Sequence, residues 1–233
     1  MDSKKLTTEQ IDQLYTFTKQ HYVEYYDLQT ELVDHMANAI ELEWEANPSL
    51  SFETLLNKEF KKFGVFGFMD VVEKKQKAMN KIYNKLVWEH FKTFFKLPQI
   101  TGTFLSIFVV FQLMKSFSIS HDVATALALL LLISFWVGLI RMSKKRKKAA
   151  KEKGKKWLLN EIIYGYSSLA GMSYLPIQIF LNFENNSSQI MVLFMSVFIV
   201  SIVIIEYIIF FIIPSKAQEY LEKTYPEYQL SNQ

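Results

Sequence analysis

Few side chains in this chain are placed to do chemistry. The sharpest is Glu206, which stands among apolar residues in IVSIVIIEYIIFFII, seven positions before Ile213. At 1.5 Å per residue it lies about 10 Å inside the end of an apolar helix. An ionisable group at that depth in a bilayer costs about 2.5 kcal/mol or more, and it faces a partner or a cavity. Its own helical face offers only Met195, Ile199, Ile202, Val203 and Phe210. Thr103 and Tyr164, at similar depth in other apolar stretches, could reach it, and Arg141 could approach from a helix end. Such a carboxylate either moves a proton or ion, contacts a partner subunit, or holds a bundle of helices together.

Glu31 and His35 form the second constellation. They share one helical face at i and i+4, with Asp34 and His21 nearby in sequence. A metal site needs at least three converging ligands, and this spacing fixes only two. A local Glu–His contact is the simpler use. No phosphate-binding glycine loop, nucleophile elbow or HExxH pattern is present. The chain has no cysteine, which removes disulfides, thiolate metal sites and cysteine nucleophiles. A non-enzymatic protein without a cofactor is the expectation.

The elements that would position these residues change character near residue 97. Of the 233 residues, half are hydrophobic and 21% are charged, and the two classes are segregated along the chain. The net charge of +3 is modest and its cations cluster beside apolar segments, so direct nucleic-acid binding is not expected. A span needs roughly 20 mainly apolar residues. Four stretches qualify, at about 97–117, 123–141, 158–183 and 189–213. They predict a four-helix transmembrane bundle over 97–214, followed by a tail at 215–233. Pro98 suits the first turn of the first span. In the second, Ser134 and Gly138 put small residues on one face; in the third, Ser167 and Gly171 do the same, and a kink is expected at Pro176.

Orientation follows from Lys and Arg in short connections. Residues 144–156, between the second and third spans, read as a strongly basic loop containing Lys144, Lys145, Arg146, Lys147 and Lys148. These either set topology or attract anionic lipid headgroups. Trp157 beside them reads as an interfacial anchor. The flanks before the first span and after the fourth are basic too, whereas the other two connections are poor in cations. Both termini are therefore expected in the cytoplasm of a plasma (inner) membrane protein. The first 15 residues lack an apolar core, so no cleaved signal is expected.

Residues 1–96 read as a cytoplasmic all-α domain of three short helices and a long connecting one. Thr7 and Gln10 form a capping box before a stripe of Ile11, Leu14, Tyr15 and Phe17. Leu28, Leu32, Met36 and Ile40 give the second helix its apolar stripe. Its other side is acidic, with Glu31, Asp34 and Glu41 beside His35 as a candidate partner surface. Asn47-Pro48-Ser49 breaks that helix, Ser51 caps the third, and Gly64 stops it. The fourth helix, about 68–96, is expected to continue into the first span without a break.

Residues 20–64 resemble the HAAS domain, a helical module found ahead of membrane spans in bacterial proteins. The resemblance rests on Glu31, His35 and Met36 at the core positions of an acidic helix, Phe52 opening the next helix, and Gly64 at its stop. The usual Leu-Pro turn is replaced here by Val23-Glu24-Tyr25-Tyr26. The resemblance implies a membrane-anchored signalling or adaptor role with a cytosolic partner, often a PadR-like transcriptional regulator. The rival expectation is a small transporter, or a transporter subunit, using Glu206. Homo-oligomers fit either.

Overall fold

The computed structural model describes residues 4–116, 120–153, 155–165, 188–226 and 228. Among these every regular element is helical. The elements are α1 (Thr8–Gln20), α2 (Tyr26–Ala46), α3 (Phe52–Lys61), α4 (Met69–Thr93), α5 (Gln99–Ser116), α6 (Ser120–Lys153), α7 (Leu158–Tyr164), α8 (Gln189–Tyr207) and α9 (Ala217–Thr224). Two of them are long and apolar enough to cross a membrane, over Thr125–Lys148 and Gln189–Ser215; the apolar part of α5, Gln99–Lys115, is shorter. The chain divides into two compact units, Met1–Lys81 with Lys153–Leu159, and Ile82–Glu152 with Asn160–Gln233.

The first unit follows its local signals. Thr7 accepts from the Gln10 amide while the Gln10 side chain accepts from the Thr7 amide, closing the capping box. The stripe of α2 is buried at Leu28, Leu32, Val33, Met36, Ile40 and Trp44. Each such side chain contributes about 1.5–3 kcal/mol relative to remaining in water. Trp44 also donates to the Leu50 carbonyl at 2.9 Å, closing the turn that Pro48 opens. Ser51 caps α3 by accepting from Thr54.

The turn into α4 needs both of its glycines. Gly64 and Gly67 have φ of +80° and +54°, and a Cβ on Gly67 would sit 2.9 Å from the Phe60 ring. This close approach lets Phe68 bury against Phe60 and Phe63, at ring separations of 4.9 and 4.8 Å. Phe17 and His21 complete the aromatic cluster. Val65 and Phe66, between the glycines, point into solvent.

The second unit is built on α5, α6 and α8. Met114, Ala128, Val192, Met195 and Ile199 form one cluster, and Met142, Ile209 and Phe210 another. The fully buried Ser196 returns its hydroxyl to the Val192 carbonyl at 2.8 Å, so no polar group is stranded there. At its end α8 widens into a π-turn, Ile208–Ile212. Pro214 follows, with no N–H for the Phe210 carbonyl, and the wider turn accommodates that loss.

Two expected connections differ. The helix from α4 does not run on into α5: α4 ends at Thr93, and tight turns carry the chain through Lys96 to Gln99. Pro98 forces Leu97 out of helical conformation and supplies no N–H. The basic stretch at 144–156 is not a loop over most of its length. It continues α6 as helix to Lys153. Lys, Arg and Ala are strong helix formers, and no glycine or proline interrupts them before Gly154. Of the expected third span, only α7 falls among the described residues; Ser167, Gly171 and Pro176 lie outside them.

Candidate functional site

Glu206 finds its partner on α6. Ser134 donates its hydroxyl to Glu206 Oε2 at 2.5 Å. Four residues on, Gly138 lies under the Phe210 ring, and a Cβ there would come within 2.6 Å of it. The small residues of α6 thus face α8: the serine supplies a donor and the glycine a hole. Around the pair opens a cleft of about 540 Å³, lined by Val110 of α5, Leu130, Leu131 and Val137 of α6, Val203 of α8, and Phe211 of the π-turn that follows it. Its polar groups are Ser134, Glu206, Arg141 and Tyr207. The Arg141 guanidinium packs over the Phe211 ring at 5.2 Å.

Thr103 and Tyr164, the other expected neighbours of Glu206, are engaged elsewhere. Thr103 donates to the Phe94 carbonyl at 2.9 Å, tying α5 back to the end of α4. Its hydroxyl thereby satisfies a carbonyl that the broken helix leaves without an intrahelical partner. Tyr164 donates to the Pro214 carbonyl at 3.4 Å and packs on the Phe210 cluster.

A second site had no sequence signal. Residues 155–159 fold as a strap within the first unit. The Tyr26 amide donates to the Lys156 carbonyl at 2.7 Å. The Leu158 amide, at the start of α7, donates to the buried carboxylate of Asp27 at 3.1 Å. Lys156 pairs with Glu24, and Lys155 lies over the Tyr26 ring at 3.9 Å. Trp157 is only 2% exposed and meets Tyr26 edge-on at 5.4 Å. It is a core residue of the helical unit rather than the expected interfacial anchor.

The acidic residues of α2 do not form one open face. Glu31 pairs with Lys75 of α4. Glu41 accepts from the Leu6 amide at 2.9 Å. Glu43 pairs with Lys58 of α3, and that hydrogen bond holds its carboxyl below the usual range. Asp34 and His35 remain exposed, with His35 near the edge of Phe63. The acid on α2 therefore serves largely to gather its neighbours. Among the described residues no three His, Asp or Glu side chains converge on a metal position. His21, once a possible ligand, instead uses Nδ1 on the Phe17 carbonyl at 2.8 Å.

Of the basic cluster, Arg146 pairs with Glu161, while Lys144, Lys145 and Lys147 are exposed on α6. The tail holds a further polar pair. His90 Nε2 and the Tyr220 hydroxyl share a hydrogen bond of 2.7 Å, with Ala217 and Leu221 of α9 buried. Burial, and then the charge of Lys216, hold the His90 imidazole below its ordinary range.

No protein-family model, curated protein or solved structure matches the chain. The functional reading therefore rests on the geometry above.

Proposed function

We propose that this chain is a non-enzymatic, multi-pass membrane protein whose N-terminal helical unit lies in the cytoplasm, binds a cytosolic protein there, and is coupled to the spans by the strap. The observation that carries this reading is the strap itself. Residues 155–159 join α6 to α7, yet they pack as part of the N-terminal unit. A partner that loosens or tightens that unit acts directly on the connection between two membrane segments. The break before α5 removes the alternative route through a continuous α4.

Membrane crossing is supported by an inversion of the usual burial. In α6 only 17% of the most apolar window is buried, where a soluble core helix would be mostly covered. Leu130, Ile133, Trp136, Val137 and Ile140 are all more than half exposed. The candidate spans Thr125–Lys148 and Gln189–Ser215, 24 and 27 residues long, correspond to about 36 and 40 Å with their charged or turning ends included, enough to reach across a hydrocarbon core of about 30 Å. The apolar composition of the sequence at about 158–183 favours a further crossing. With α5 this makes four spans, and the cations of α6 favour both termini inside. The HAAS-like pattern favours a transcriptional regulator as the partner.

A C-terminal tag on the full chain tests this reading by recovering what binds it in native membranes. A cytosolic protein retained by the native chain and lost on deletion of residues 1–64 is the expected result. Partners unchanged by that deletion would count against binding through the helical unit. The second reading, proton-linked transport through Glu206, draws on the Ser134–Glu206 pair within a largely apolar cleft. Glu206→Gln separates the two: it leaves partner binding intact in the first and abolishes transport in the second.

A further inference from the structure

The cleft beside Glu206 has a charge pattern that identifies an occupant. Its α6 wall runs from Leu127 through Leu130, Leu131, Ser134, Val137 and Gly138 to Arg141. That is about 21 Å of helix, more than half of a hydrocarbon core of about 30 Å. Arg141 ends the apolar wall, and the same helical stripe continues at i+3 and i+4 with Lys144 and Lys145, both exposed. Among the described residues Arg141 makes no ion pair; its guanidinium rests on Phe211 and is open at the mouth of the cleft. The one acidic group, Glu206, lies deeper, bonded to Ser134 two turns before Arg141. The groove is therefore cationic at one end, apolar along its length, and acidic only where a charged headgroup would not reach.

We propose that this groove is a binding site for an anionic phospholipid, with its phosphate on Arg141, Lys144 and Lys145 and one acyl chain along Leu130, Val137 and Val203. Guanidinium matches phosphate with two parallel donors, and the lysines add charge without geometry. Glu206 fixes the polarity: a phosphate placed at the deep end would face its carboxylate. The proposal rests on the reading that α6 and α8 cross the membrane.

The test uses the full chain purified in detergent and native mass spectrometry with equal phosphatidylglycerol and phosphatidylcholine. Phosphatidylglycerol adducts should exceed phosphatidylcholine adducts about tenfold. Arg141→Gln should remove most of that preference, as should the exposed pair Lys144→Gln with Lys145→Gln. Leu130→Trp, which narrows the groove, should lower both adducts. Lys147→Gln, on another face of α6, should change nothing. Equal binding of the two lipids, or a preference that survives both basic-end variants, overturns the site. Alkaline carbonate extraction of native membranes separates the causes of failure. A chain that stays in the membrane yet shows no lipid preference overturns this site alone; a chain that is stripped off overturns the spanning reading with it.

Discussion

Replacing Trp157 with alanine tests the strap most sharply. The indole is 2% exposed and packs edge-on to Tyr26. Truncating a buried aromatic of this kind costs about 3–5 kcal/mol through lost contacts and the cavity left behind. The neighbouring ion pair of Lys156 with Glu24 is exposed and offsets at most about 1 kcal/mol of that. The strap closes on Tyr26 and Asp27 at the start of α2, so the loss should fall first on local opening there. At 1.4 kcal/mol per decade, a loss of about 3 kcal/mol raises strap opening roughly a hundredfold. Hydrogen exchange reads this directly, because the Tyr26 and Leu158 amides donate across the strap contact. Both should exchange faster in Trp157→Ala, while amides inside α2 near Met36 and Ile40 keep their protection. If Tyr26 and Leu158 exchange at native rates, Trp157 does not hold the strap and the coupling argument fails.

Four further outcomes follow from the same geometry. Gly138→Ala should destabilise the second unit by about 1–3 kcal/mol, because its Cβ meets Phe210 at 2.6 Å; thermal unfolding in detergent checks this, and Phe210→Leu should recover part of the loss. Gly67→Ala should cost more than Gly64→Ala in chemical unfolding, since both have positive φ but only Gly67 also meets a ring. Ser134→Ala should destabilise the α6–α8 contact while Glu206→Gln, which can still accept from the serine, should leave it in place; unfolding midpoints that rank the other way would contradict the pair. For His90 the sign is set by burial. Its folded imidazole sits below the ordinary range, so docking of α9 is fully stable above about pH 6.5 and weakens as pH falls through the lowered value. Glu89 and Glu219 oppose the shift and Lys216 reinforces it. Limited proteolysis of the tail should therefore accelerate between pH 7.5 and 5.5, and His90→Gln should flatten that dependence.

The parts of the fold that could be read in the sequence were the ones set by near neighbours. Thr7 with Gln10, Ser51 with Thr54, and the glycine stop at Gly64 act within three or four residues, and they stand where their types predict. The two long apolar helices were equally visible, because a run of apolar residues needs no partner to be recognised. The strap was not legible: Asp27 and Leu158 lie 131 residues apart, and Trp157 among lysines looks the same whether it faces headgroups or Tyr26. The same limit hid the partner of Glu206. Its own helix offered no polar neighbour, and Ser134, 72 residues away, read only as a small packing residue. The helical extension of α6 did carry a signal, in the propensity of its Lys, Arg and Ala, but its charge pointed toward a loop. Likewise the acidity of α2 was plain, whereas its use on Lys75, Lys58 and the Leu6 amide depended on helices packing around it.

In the proposed topology the helical N-terminal unit and the basic end of α6 share the cytoplasmic side of a membrane that the chain crosses four times. The absence of native cysteine makes single-cysteine labelling direct. Cysteines placed singly at Ser49, Lys147, Ser187 and Ser231 would be exposed to a membrane-impermeant maleimide in intact cells and again after lysis. With that topology Ser187→Cys should label in intact cells, whereas Ser49→Cys, Lys147→Cys and Ser231→Cys should label only after lysis. Labelling of Ser49→Cys in intact cells, or of Ser187→Cys only after lysis, would contradict it.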